Sequence, residues 1–154
     1  MKVLGYLAIL IVSAAIAAAA QTPKPAAQAP TGACAFLTKE DAAAALSEAV
    51  TGPKSSVSPS GSSSCEYSGS GIHRVHLNVI PFTASTAGAY KTRCAQKNKD
   101  GLTGLGDVAC WYNDKHDELQ VLKGLTFYSI QMNRSGDPTD AIKGVARKVY
   151  ERMK

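Results

Sequence analysis

Residues 108–132 read VACWYNDKHDELQVLKGLTFYSIQM. Three runs within it, 108–112, 118–123 and 125–132, are rich in Val, Leu and aromatic residues and are separated by short polar breaks. Runs of that length and composition, bounded by turn-forming residues, predict strands. Asn113 to Asp117 turns the first run into the second, and Lys123-Gly124 turns the second into the third. Links this short join only antiparallel neighbours, because a parallel pair needs a crossover of a dozen residues or more. The stretch therefore reads as an antiparallel meander, which sets the fold class.

Upstream, residues 65–68 and 72–80 form a predicted hairpin around Gly69-Ser70-Gly71. In its second arm Val75, Leu77 and Val79 share one face, while Arg74, His76 and Asn78 share the other, as the two-residue period of a strand requires. Three segments carry helical periodicity instead. Residues 38–50 begin with Thr38 as a cap and Asp41 as its return partner, with Leu37 placed to staple the first turn. Ala42, Ala45, Leu46 and Ala49 give this helix an apolar face, and Gly52-Pro53 stops it. Residues 83–98 put Ala87, Tyr90 and Cys94 on one side; Gly88 costs this helix about 1 kcal/mol relative to Ala. Asp137-Pro138-Thr139-Asp140 starts the third, which lines up Ile142, Val145, Val149 and Met153. Its Arg147, Lys148, Arg152 and Lys154 suit the negative end of the helix dipole. Residues 55–64 and 101–107 read as loops. The expected architecture is α+β: a mainly antiparallel sheet of about five strands with three helices, in the order α-β-β-α-β-β-β-α. Each half opens with a helix and continues in strands, an order that hints at duplication without matching residues to support it.

The chain has 154 residues, enough for one domain of ordinary size. Hydrophobic residues at 45% against charged residues at 19% fit a globular chain rather than a disordered one. Aromatics reach only 6%, so the core must lean on Val, Leu, Ile and Ala. At the N-terminus Lys2 precedes an apolar run over 3–20, and Ala18-Ala19-Ala20 ends it before Gln21. A positive start, an apolar middle and small residues at the boundary predict a cleavable signal peptide over 1–20. An uncleaved anchor is the competing reading, since the run reaches the lower edge of a spanning helix, but its Ala-rich end favours cleavage. Residues 21–33 form a Pro/Ala-rich linker expected to be disordered, and 34–154 a single disulfide-stapled domain. Lipidation at Cys34 is disfavoured by the polar spacer over 21–30 that separates it from the apolar run. After signal cleavage no transmembrane segment remains.

Cleavage removes one basic residue from a chain of net charge +5, so the mature chain stays modestly basic. Lys91, Arg93, Lys97 and Lys99 are its densest basic group and read as a solvated helix face. With no recognised module, nucleic acid is not expected as a partner. Four cysteines in an exported chain, Cys34, Cys65, Cys94 and Cys110, read as two disulfides and place the protein in the periplasm or outside the cell. Three pairings are open, and Cys34–Cys65 with Cys94–Cys110 is the favoured one. No CxxC spacing calls for a metal, and no CxxCH calls for haem; no cofactor is expected.

Candidate chemistry is sparse. His73 and His76 form an H-x-x-H, but three residues apart on a strand they point to opposite faces. Asp114, His116, Asp117 and Glu118 crowd one turn without the regular oxygen spacing of a calcium loop. Gly101, Gly104 and Gly106 lack the GK[ST] of a phosphate loop and read as turn residues. No G-x-S-x-G elbow occurs, and paired thiols leave no cysteine nucleophile. Alternation puts one of Trp111 and Tyr112 on each sheet face; the outward one, beside His116, is the best recognition surface the sequence offers.

Taken together, Cys34-Ala35-Phe36-Leu37-Thr38, Cys65-Glu66-Tyr67, Gly104-Leu105-Gly106-Asp107-Val108-Ala109-Cys110-Trp111 and Leu119-Gln120-Val121-Leu122-Lys123-Gly124, closed by an amphipathic C-terminal helix, form a wider pattern. It resembles the small secreted or lipid-anchored bacterial envelope domains of unknown function that are common in actinobacteria, over residues 34–153. The resemblance implies that Cys34 pairs with Cys65. Such domains do not usually carry Cys at the position of Cys110, so Cys94 and Cys110 look like an added second bridge. No activity comes with the resemblance. The sequence is read as an uncharacterised exported protein, a non-enzymatic envelope module that binds a protein, a glycan or a lipid. The alternatives are an envelope-acting hydrolase, which needs His73, His76 or His116 to meet a nucleophile and an acid, and an inhibitor or stress-protective secreted protein.

Overall fold

The computed structural model describes residues 31–97, 99–100 and 102–153; the predicted signal peptide and most of the linker lie outside them. A 3-10 turn over Gly32–Ala35 leads into helix α1 (Lys39–Leu46), followed by strands β1 (Thr51–Val57), β2 (Ser63–Ser68) and β3 (Arg74–Pro81). Helix α2 (Ala84–Ala95), strands β4 (Val108–Trp111), β5 (Glu118–Lys123) and β6 (Thr126–Asn133) and helix α3 (Thr139–Arg152) complete the chain. All pairings are antiparallel, and the sheet order is β1-β2-β3-β6-β5-β4. The α+β class and the three helices are as the sequence implied, but the sheet has six strands rather than about five.

The additional strand is β1, which lies within what the sequence presents as a helix stop and a Ser-rich loop. Its residues, TGPKSSV, are exposed throughout, so no hydrophobic period marks it. It is held by main-chain pairing with β2, from Thr51 opposite Ser68 to Val57 opposite Ser63, with a register shift between Thr51 and Lys54. Pro53 sits at that shift, on a sheet edge, where a residue without an N–H is tolerated. With β1 in place, both halves read helix followed by three-stranded meander, and β3 joins β6 at the middle.

Two faces of the sheet carry different cores. The inner face presents Cys65 and Tyr67 from β2, Val75 and Leu77 from β3, Tyr128, Ile130 and Met132 from β6, Leu119 and Val121 from β5 and Trp111 from β4, all buried. Helices α1 and α3 cover it with Ala42, Ala45, Leu46, Ile142, Val145, Ala146 and Val149. The Tyr128 hydroxyl crosses the layer to donate to the Ala146 carbonyl at 3.2 Å, and burial raises its pKa. On the outer face α2 covers only one corner, where Ala87, Tyr90 and Cys94 pack on Cys110, Leu122 and Phe127. Phe82 stacks on Phe127 at 4.9 Å, and Tyr90 meets Phe127 edge-on at 5.3 Å.

The caps explain the helix limits. Thr38 accepts from the Asp41 amide while Asp41 reaches back to the Thr38 amide, the box read from the sequence. Helix α1 ends at Leu46 rather than at Val50 because Ser47 takes a left-handed conformation. Disulfides join Cys34 to Cys65 and Cys94 to Cys110. The first ties the 3-10 turn to β2, and the second ties α2 to β4. Both are compatible with an oxidising, exported environment. Among the described residues no helix is long and apolar enough to cross a membrane.

Candidate functional site

The aromatic site suggested by the sequence divides between core and surface. Trp111 points inward and is 1% exposed, whereas Tyr112 is 51% exposed. His116, in a left-handed turn conformation, stacks on the Trp111 ring at 4.6 Å. Lys143 approaches the same ring at 5.9 Å. His116 and Trp111 thus close one end of the inner core, and the Trp111 Nε1 has no hydrogen-bond partner among the described residues. Tyr112 follows β4 at the surface, where Lys97 donates to its carbonyl and lies 5.7 Å from its ring.

In the 113–118 turn, Asn113 donates to Asp117 at 2.8 Å. Among the described residues no group of His, Cys, Asp or Glu has metal-binding geometry. Gly106 serves backbone packing: at φ +63° it runs so close to the Leu122 carbonyl that a Cβ would collide with it. Gly101 lies outside the described residues. His73 and His76 diverge along the strand. His76 faces outward opposite Glu66 and Gln131, in a polar row that no helix covers among the described residues. His73 precedes β3 and turns elsewhere.

A groove at the strand ends was not legible in the sequence. At the ends of β3, β6 and β5, the last inner-face row runs Pro81, Thr126, Lys123, beyond the reach of α1. Phe36 and the end of α3 overhang this row and leave a groove of about 740 Å³ lined by Phe36, Val79, Pro81, Thr126, Lys123, Arg152 and Met153, among others. Its floor is apolar and its rim is mostly cationic. Lys123 donates to the Met153 carbonyl at 2.9 Å and lies over the Tyr150 ring at 4.9 Å. Arg152 binds the Phe36 carbonyl and the Asp41 carboxylate. Lys148 reaches the same carboxylate at 3.0 Å, so one buried acid anchors two cations. Burial would raise the Asp41 pKa, but bonds from Arg152, Lys148 and Thr38 outweigh it and hold it at about 2. Asp107, the groove's one acid, is occupied by Lys91 and the Gly124 amide. Leu125, 53% exposed, stands at the tip of the turn between groove residues Gly124 and Thr126.

A second polar cluster lies at the opposite end of β3 and β6. His73 Nδ1 is 2.7 Å from Glu48 Oε1, and its Nε2 is 3.0 Å from Ser135 Oγ. Ser70 donates to Glu48 through its hydroxyl at 2.5 Å and its amide at 3.2 Å. Gly69 leaves room for that carboxylate, since a Cβ there would collide with it. Bonds from Ser70 and then His73 lower the Glu48 pKa. The cluster joins the segment after α1, the β2–β3 turn and the β6–α3 loop.

Compared with family models, curated proteins and solved structures, the chain matches none.

Proposed function

We propose that this chain is an exported binding module of the bacterial envelope whose groove takes a single-chain anionic amphiphile, a fatty-acyl lipid. The groove carries the reading. A volume of about 740 Å³ lies within the range of small-molecule sites. Phe36, Val79, Pro81 and Met153 offer apolar surface to an acyl chain, and each buried CH₂ contributes about 0.8 kcal/mol. Lys123 and Arg152 offer positive charge to a headgroup at the mouth, and the single acid there, Asp107, is already engaged. Export is supported by the apolar N-terminal run and by two disulfides. The test is titration of the purified chain with a fluorescent fatty acid below its micelle concentration. Saturable binding is expected. Thr126→Trp, which fills the groove from a half-buried strand end, is expected to weaken it at least tenfold while leaving the circular dichroism spectrum unchanged. Absence of saturable binding, or binding indifferent to Thr126→Trp, contradicts the reading.

The hydrolase reading is favoured by one observation, the contact of His73 with both a carboxylate and a serine hydroxyl.

A further inference from the structure

The order Glu48–His73–Ser135 is that of an acid, a base and a nucleophile, each within hydrogen-bond reach of the next. We propose that Ser135 and His73, positioned by Glu48, form an acyl-transfer site that cleaves short O-acyl esters. The site goes beyond the lipid groove and lies at the other end of the sheet: His73 precedes β3 and Ser135 follows β6, whereas Pro81 and Thr126 at the far ends of the same strands line the groove.

The geometry supplies the parts that such chemistry needs. Glu48 is fixed by two bonds from Ser70 and packs into the space left by Gly69. Its Oε1 accepts the Nδ1 proton of His73, which leaves Nε2 as the lone-pair nitrogen facing Ser135. Glu48 and His73 are about three-quarters covered, while Ser135 is exposed and open to a substrate. The Gly136 and Asp137 amides, which follow the serine in the chain, would be the donors to a developing oxyanion. At the same end of the sheet, a cleft of about 270 Å³ is lined by Arg134, the serine's neighbour in the chain, by Pro138 three residues after it, and by Arg74, Lys115 and Asp117. A cleft this small and this cationic fits a short polar or anionic acyl group and excludes a long fatty chain.

The reaction balances without a further reagent. Ser135 Oγ bonds to the ester carbonyl carbon as its proton passes to His73 Nε2. The tetrahedral intermediate collapses with cleavage of the bond to the leaving oxygen, which takes the proton from His73 and departs as an alcohol. Water then attacks the acyl-serine, giving its proton to the same nitrogen. The carboxylic acid leaves, and the proton returns to Ser135.

The test is labelling of the folded chain with a fluorophosphonate, the modified residue being located by mass spectrometry. Modification of Ser135, abolished in Ser135→Ala and reduced at least tenfold in His73→Gln, is the expected result. Thr126→Trp is expected to leave labelling unchanged, which separates this site from the groove. Glu48→Gln is expected to slow labelling of Ser135 and Glu48→Asp to restore part of the rate; a carboxylate that only braces the loops would leave labelling of the folded chain unchanged in Glu48→Gln. Failure of the wild-type chain to label at Ser135, or labelling indifferent to His73→Gln, overturns the proposal.

Discussion

The two meanders have the same strand order around the β3–β6 seam and very different surroundings. Strands β2 and β3 are buried along the inner face, with Ile80 at the end of β3 reaching the outer cluster, and β1 is exposed at every residue. Strands β4 to β6 are buried almost continuously because α2 also closes part of their outer face. The difference follows from where the helices pack: α1 lies on the inner face with α3, and α2 lies on the outer face. The antiparallel seam arranges the strands symmetrically, and the helices break that symmetry. One half becomes a two-sided core and the other keeps an open polar face.

Substitutions that probe this contrast should separate by size. The largest effect is expected at Trp111 on β4, where Trp111→Ala should cost about 3–5 kcal/mol by chemical denaturation; a value under about 1 kcal/mol would break the comparison. Next come the bridges. Loss of Cys94–Cys110, which spans 16 residues, should cost about 3 kcal/mol, and loss of Cys34–Cys65, which spans 31, about 4 kcal/mol. The first loss should release amide protection mainly in α2, which rests on a small cluster; uniform loss would show that α2 and the inner core unfold together. A third effect is electrostatic. Asp41 has its folded pKa lowered from 3.8 to about 2, so its contribution is complete above the unfolded value and disappears as pH falls through the folded one. Stability should drop by roughly 2 kcal/mol between about pH 4 and pH 2, and Asp41→Asn should flatten that slope. The smallest effect is expected on the open face, where Lys54→Ala and Glu66→Ala should stay within about 0.5 kcal/mol.

The same contrast explains what the sequence makes legible. The second meander is readable because burial demands apolar residues in strand-length runs, and α3 because its inward residues recur at helical spacing. The Thr38–Asp41 box is readable because all its partners lie within four residues. Strand β1 is not, since pairing through the main chain leaves Thr51–Val57 free to be Gly, Pro, Lys and Ser. The site was less legible still. Tyr112 and Trp111 alternate as strand residues must, but which of them faces out depends on where α3 packs. The groove is a gap between layers, left where α1 does not reach the strand ends. His73 meets a serine 62 positions away and a glutamate 25 positions away, distances that no local pattern encodes.

The groove is tested most directly by mapping backbone amide shifts of the isotope-labelled chain during titration with a short-chain lysophosphatidylglycerol below its micelle concentration. The account expects saturable shifts at Phe36, at Lys123, Gly124 and Thr126 on the sheet ends, and at Met153, with the outer face silent. Shifts confined to Glu66, His76 and Gln131 on that open face, or no shift at all, would contradict it.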